Sequence, residues 1–185
     1  MTVMTTFSLP HRRALTRADL AVVPDDGHRY ELIDGSLIVS PAPQIRHQDA
    51  VMRLGVLLFE ACPPELKVLS APVDVVLADD SVIQPDLLVA RRDQFTDNDL
   101  PGPPLLAIEV LSPSTRGIDL LLKKDRLERA GCPHYWVVDP EGPTISAWTL
   151  RDGRLVNIQT ATEDELFSVT EPFIVSFAPS SLFDR

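Results

Sequence analysis

Two cysteines in 185 residues, Cys62 and Cys132, are too few and too far apart for a disulfide framework or a zinc site. Each stands beside a proline at the end of an expected helix, where a small buried or capping residue is the simplest role. Aromatic residues make up only 6% of the chain, which disfavours a sugar-binding platform. No GxxxxGK[ST] phosphate loop and no GxSxG nucleophile elbow occurs, so nucleotide-loop and serine-hydrolase chemistry have no anchor. No stretch approaches the ~18 apolar residues of a membrane span. Met1 to Arg17 has no basic segment followed by an apolar run, so the cytoplasm is the expected compartment. Cations are also scarce. Seventeen Lys and Arg face 27 Asp and Glu, a formal net charge of −10. Phosphate contacts need cations, so simple non-specific nucleic-acid binding is disfavoured. Basic residues gathered on one face, or acids matched by bound metal, would still permit nucleic-acid chemistry. Arg116, Lys123, Lys124, Arg126 and Arg129 are the cations closest together in sequence.

What remains is ordinary globular material of a length that fits one domain. Seventeen prolines imply short elements and firm turns. Residues 1–15 read as a flexible arm and 16–185 as a single domain. Thr16 and Asp19 are spaced as a capping box for a short helix ending before Pro24. Arg29 to Ile33 and Ser36 to Ser40 flank Asp34-Gly35, a two-residue hairpin turn. Val51, Leu54, Leu58 and Ala61 repeat at helical spacing within Gln44 to Ala61, which Pro63-Pro64 stops. Strands are expected at 67–69, 73–77, 85–90, 105–111, 135–138, 144–150, 155–160 and 173–175. A loop is expected over 91–104 and a second helix over 116–130, ended by Gly131. The sum is an α/β or α+β domain, a mixed sheet with at least two helices against it.

Two strands carry acids that their surroundings do not explain. Asp86 opens the apolar run Leu87 to Ala90, and Glu109 interrupts Leu105 to Leu111. Runs of this kind are covered on both faces. A carboxylate there is costly unless it is paired, protonated or metal-bound. Asp86 is also explained as a strand start after Pro85, and Glu109 as the partner of a buried cation. If the strands are neighbours, the two acids suit a hard divalent cation such as magnesium. Ser112-Pro113-Ser114-Thr115 follows as a tight loop into the second helix, suited to capping it or to meeting a phosphate. Asp119 and Lys123, four residues apart, read as an exposed ion pair, or Lys123 turns back to the acids.

These residues together carry a resemblance. Tyr30-Glu31-Leu32-Ile33-Asp34-Gly35, Arg46-His47-Gln48, Gln84-Pro85-Asp86-Leu87, Ile108 to Thr115 and Tyr135 to Pro140 follow one another in an order and spacing that resembles the Uma-two family of restriction-endonuclease-like proteins. That family is assigned to the PD-(D/E)XK nuclease superfamily, and the resemblance runs from about Thr16 to Leu182. It implies a restriction-endonuclease-like mixed central sheet flanked by helices. It implies that Asp86 and Glu109 are the metal-binding acids and that both are catalytic. The superfamily lysine normally stands two residues after the second acid, where this chain has Leu111. The resemblance places it on the following helix at Lys123, with Lys124 nearby. Glu31 matches a recurrent family acid and is a further catalytic candidate, or a surface acid beside a turn. His47 is expected to be a structural or capping histidine, with a proton shuttle as the alternative. A tyrosine often found one turn after the helical lysine is Leu127 here.

The expected activity is Mg2+- or Mn2+-dependent hydrolysis of DNA phosphodiester bonds, with Lys123 orienting water or screening phosphoryl charge. A homodimer is compatible with cutting both strands of a duplex. The rivals are a catalytically inactive nuclease-fold module that binds nucleic acid or a protein partner, and a metal-free two-carboxylate hydrolase such as a glycosidase.

Overall fold

The computed structural model describes Pro10 and residues 13–24, 26–113 and 116–183. Thirteen strands and three α-helices are described, with a π-helical turn at Ile118–Lys123. The central layer is a six-stranded sheet in the order β11 (Arg154–Thr162), β10 (Thr144–Arg151), β9 (His134–Asp139), β8 (Leu106–Val110), β6 (Leu87–Arg91) and β3 (Leu66–Ser70). Only β8 and β9 run parallel. One face packs on α2 (Ile45–Ala61) through Ala50, Val51, Leu54 and Leu58, and on the hairpin β12 (Phe167–Val169) and β13 (Val175–Phe177). The other face packs on a five-stranded sheet, ordered β2 (Ser36–Ser40), β1 (Arg29–Ile33), β5 (Ser81–Ile83), β4 (Asp74–Ala78) and β7 (Asp99–Pro101), and on α3 (Lys124–Ala130).

This layering explains the apolar runs. β6 and β8 lie inside the sheet with both faces covered, so their residues divide between two cores. Leu87, Val89, Leu106, Ile108 and Val110 face α2. Leu88, Ala90, Ala107 and Leu111 face the second sheet and α3. Asp86 and Glu109 fall by alternation on that second face.

The hairpin and α2 lie where the sequence places them. Asp34 and Gly35 both have positive φ, 49° and 74°, as the turn requires. Several expectations change. The single sheet is two stacked sheets, because β5 and β7 add short strands to the hairpin layer. β7 and a 3-10 turn at Arg92–Gln94 occupy the expected loop over 91–104. The second helix opens as the π-helical turn before continuing as α3. Of the expected arm 1–15, only Pro10 and residues 13–15 are described. Leu15 is docked rather than loose: it is buried and its N–H donates to the Gly35 carbonyl. α1 (Arg17–Leu20) begins with the Thr16 N–H on the Asp19 carboxylate, 2.8 Å away.

Gly35 fixes this docking. A Cβ added there would stand 2.5 Å from the Ala14 Cβ, on top of the positive φ. Gly35→Ala is therefore expected to cost about 1–3 kcal/mol of stability, read as a lower urea midpoint with unchanged slope. An unchanged midpoint would show that the 13–15 segment yields freely.

Candidate functional site

β6 and β8 pair with Leu87 opposite Ile108. One further step in that register sets Asp86 opposite Glu109, and the Val110 N–H donates to Asp86 Oδ2 at 2.8 Å. The two acids thus share one face at the end of a strand pair. Asp86 is fully committed on its other contacts. His47 Nε2, from the first turn of α2, stands 3.1 Å from Oδ2, and an Arg29 terminal nitrogen donates to Oδ1 at 2.8 Å.

Glu31 enters from β1 across the sheet interface. Its Oε1 accepts the Gln84 N–H at 2.7 Å. The Lys123 ammonium ties the group together, 3.0 Å from Glu31 Oε1, 3.1 Å from Glu109 Oε1 and 3.5 Å from Asp119 Oδ1. Lys123 is 1% exposed and Glu109 0%. The Asp119–Lys123 pair is therefore a buried one, which corrects the reading of an ordinary surface pair. The π-helical turn swings both side chains inward while Leu121 and Leu122 remain exposed. The Tyr135 hydroxyl fixes that turn by donating to the Asp119 carbonyl at 2.8 Å.

Four expected residues, Asp86, Glu109, Lys123 and Glu31, are thus brought into one network. His47 joins it as a structural partner of Asp86. Lys124 does not, since its ammonium lies 4.5 Å from the Trp148 ring centroid. Ser112 and Pro113 line the adjoining cleft, while Ser114 and Thr115 lie outside the described residues. Leu127, in place of the family tyrosine, is a buried core residue. The other cations of the basic stretch are also engaged: Arg116 with Asp139, Arg126 with Ser81, and Arg129 with Asp34 and Asp125.

Arg29 was not singled out by the sequence. The signal was the alternation of β1, which puts Arg29, Glu31 and Ile33 on one side of the strand, with Ile33 in the core.

The electrostatics are dominated by a surplus of acid. Four carboxylates face two permanent cations, Arg29 and Lys123. Burial would raise the Asp86 carboxyl, but the His47 hydrogen bond and the charges of His47, Arg29 and Lys123 hold it well below the usual range. Burial pushes the Glu109 carboxyl well above its ordinary value. Lys123 opposes this, and Asp119, Asp86 and Glu31 add to it. Burial would lower the Lys123 ammonium, but Glu109, Glu31 and Asp119 more than reverse this, so it stays charged. Glu109 Oε2 and Glu31 Oε2 are buried without a hydrogen-bond partner. Among the described residues no three His, Cys, Asp or Glu side chains form a ready-made metal cage. Magnesium needs no such cage. It takes one or two carboxylates with waters and substrate oxygens, which is the donor set of Asp86 and Glu109.

Asp86, His47 and Arg29 lie on the wall of a cleft of about 1170 Å³, bounded by α2, the start of β1 and the segment 70–74. Glu109, Glu31 and Lys123 sit behind that wall.

The opposed shifts give a pH signature. A folded-state value raised above 4.5 means that the Glu109 contribution to stability is fully present below 4.5 and is lost as pH rises through the raised value. The Asp86 contribution is present above 3.8 and is lost as pH falls through its depressed value. Glu109→Gln is therefore expected to melt higher than the parent at pH 8 without metal and to converge with it near pH 5, by scanning calorimetry. A lower melting temperature at pH 8 would mean that Lys123 depends on Glu109 more than the acid surplus repels it.

A family model, Uma2, described as "Putative restriction endonuclease", matches residues 14–179. A crystal structure of "a putative nuclease belonging to DUF820" from Anabaena variabilis ATCC 29413 shares the fold, with a TM-score of 0.71 at 17% identity over 91% of this chain and 97% of that one. No curated protein matches the sequence. With most of its length matched in this way, the chain belongs to the Uma2 family of restriction-endonuclease-like proteins.

Proposed function

We propose that the protein is a metal-dependent endonuclease that hydrolyses DNA phosphodiester bonds. The observation that carries this reading is the buried carboxylate pair Asp86 and Glu109, with Asp86 on the wall of an open cleft and Glu109 directly behind it with one oxygen unpartnered. Asp86 and Glu109 would hold Mg2+ or Mn2+. Such an ion lowers the pKa of a bound water and offsets charge gathering on the phosphoryl group.

The chain's own residues do the rest. The Val110 N–H and His47 fix Asp86 Oδ2, so the carboxylate is oriented before any ligand arrives. Lys123 keeps its proton, and it is held at fixed distance from Glu109 by Glu31 and Asp119. A positioned, permanently charged ammonium screens developing phosphoryl charge without having to reorganise. Glu31 positions Lys123 and, through the Gln84 N–H, the strand lead-in to Asp86.

A second reading keeps the fold without turnover, as a module that binds nucleic acid or a protein partner. The near-complete burial of Glu109 and the formal charge of −10 favour it. A metal-free glycosidase is disfavoured by the complete burial of Glu109 and by Lys123, which stands 3.1 Å from it.

The test is cleavage of plasmid and single-stranded DNA in Mg2+ or Mn2+, with and without EDTA. Glu109→Ala and Lys123→Met are each expected to lower the rate by about 100-fold or more, with EDTA abolishing it. No cleavage by the parent under any condition supports the binding module. Cleavage that survives Glu109→Ala places the chemistry elsewhere.

A further inference from the structure

Resting on that reading, we propose that Arg29 is the resident counter-cation of the metal position, displaced when the ion enters and then free to bind the substrate phosphate in the cleft.

The argument starts from the oxygens of Asp86. Oδ2 is taken by the Val110 N–H and His47, both anchored in regular structure. Oδ1 is held by Arg29 at 2.8 Å. It is the Asp86 oxygen whose partner is a flexible side chain, and so the one an incoming ion takes. The same guanidinium also faces the otherwise unpartnered Glu31 Oε2 at 3.6 Å. Arg29 therefore sits between Asp86 Oδ1 and the Glu31 oxygen opposite the one that Lys123 holds.

Displacement is a cation exchange. Without a replacement, withdrawing Arg29 would leave buried carboxylate oxygens bare, which is strongly unfavourable for an unpaired buried charge. A divalent ion supplies that replacement. Burial does not block the movement, because the Arg29 side chain is 22% exposed and lies on the cleft wall.

The cleft gives the released side chain its task. Among the described lining residues Arg29 is the sole lysine or arginine, while Glu60, Asp74 and Asp86 are acidic. A phosphodiester entering this cleft meets one cationic fork, and arginine matches phosphate geometry in two parallel hydrogen bonds. Metal and DNA would then bind with positive coupling, each drawing Arg29 toward the same released state.

Calorimetric titration of Mg2+, and separately Mn2+, into the full-length parent and Arg29→Gln tests this. The variant is expected to bind the ion about tenfold or more tightly, while its KM for DNA in saturating metal rises by a similar factor. Those opposite directions separate the proposal from a structural role, in which both would weaken. Ion binding by the variant alone also supports it. If the parent binds metal and the variant binds no more tightly, the inference fails and the metal reading stands. If neither binds, both fail. Should Arg29→Gln not fold, the Arg29 Nε–H signal of 15N-labelled parent gives the answer. It is expected to move as Mg2+ saturates, and a stationary signal during saturation overturns the proposal.

Discussion

The Lys123 ammonium is the contact on which the site depends. It joins three layers of the fold: Glu31 on the hairpin sheet, Glu109 on the central sheet, and Asp119 on its own helical turn. A lone buried ammonium would be costly, as would three buried carboxylates. Together they are mutually stabilising but unequal, and the imbalance leaves oxygens oriented and available. The functional chemistry and the packing problem are therefore the same problem. The carboxylate oxygens that the fold leaves without a partner, on Glu109 and Glu31, lie beside Asp86, whose charge the surrounding cations hold in place.

Much of this was legible in the sequence, and for identifiable reasons. The Asp34-Gly35 turn, the apolar stripe of α2 and the prolines bounding it are local signals, and they placed those elements within a residue or so. Glu109 stood out because a charge inside an apolar strand has few explanations. The division into two stacked sheets was not legible, since β5 and β7 are three-residue strands defined by their neighbours. Around Lys123 the local pattern points the wrong way. Asp119 and Lys123 read as an exposed ion pair, yet both are inside while the intervening Leu121 and Leu122 are exposed. Hydrophobic periodicity assumes an α-helical repeat, and the π-helical turn breaks that assumption. The residues alone left Lys123 between an exposed ion pair and the acids, and the resemblance tipped it toward the acids.

The basic stretch that seemed a source of phosphate contacts is spent on internal pairing. Arg116, Arg126 and Arg129 each answer an acid or a polar group of another element, and Lys124 lies over Trp148. The cleft beside Asp86 is correspondingly poor in cations, with apolar walls contributed by Val51, Met52, Val56 and Phe59 of α2. Under the proposed reading, affinity for a polyanion in such a cleft would come from bound metal and a small number of directed contacts rather than from a broad positive field.

The π-helical turn also sets how the site is lost. Glu109 on β8 and Asp86 just before β6 are carried by two inner strands of the central sheet, each paired on both sides, whereas Lys123 is carried by a short helical segment docked onto it. The spacing of acid to lysine is therefore a docking distance and not a length of chain. Segments of this kind open in fluctuations well short of global unfolding. Under the proposed reading, any such opening would withdraw the lysine while the sheet keeps its acids, leaving a state folded by most measures and without the proposed chemistry.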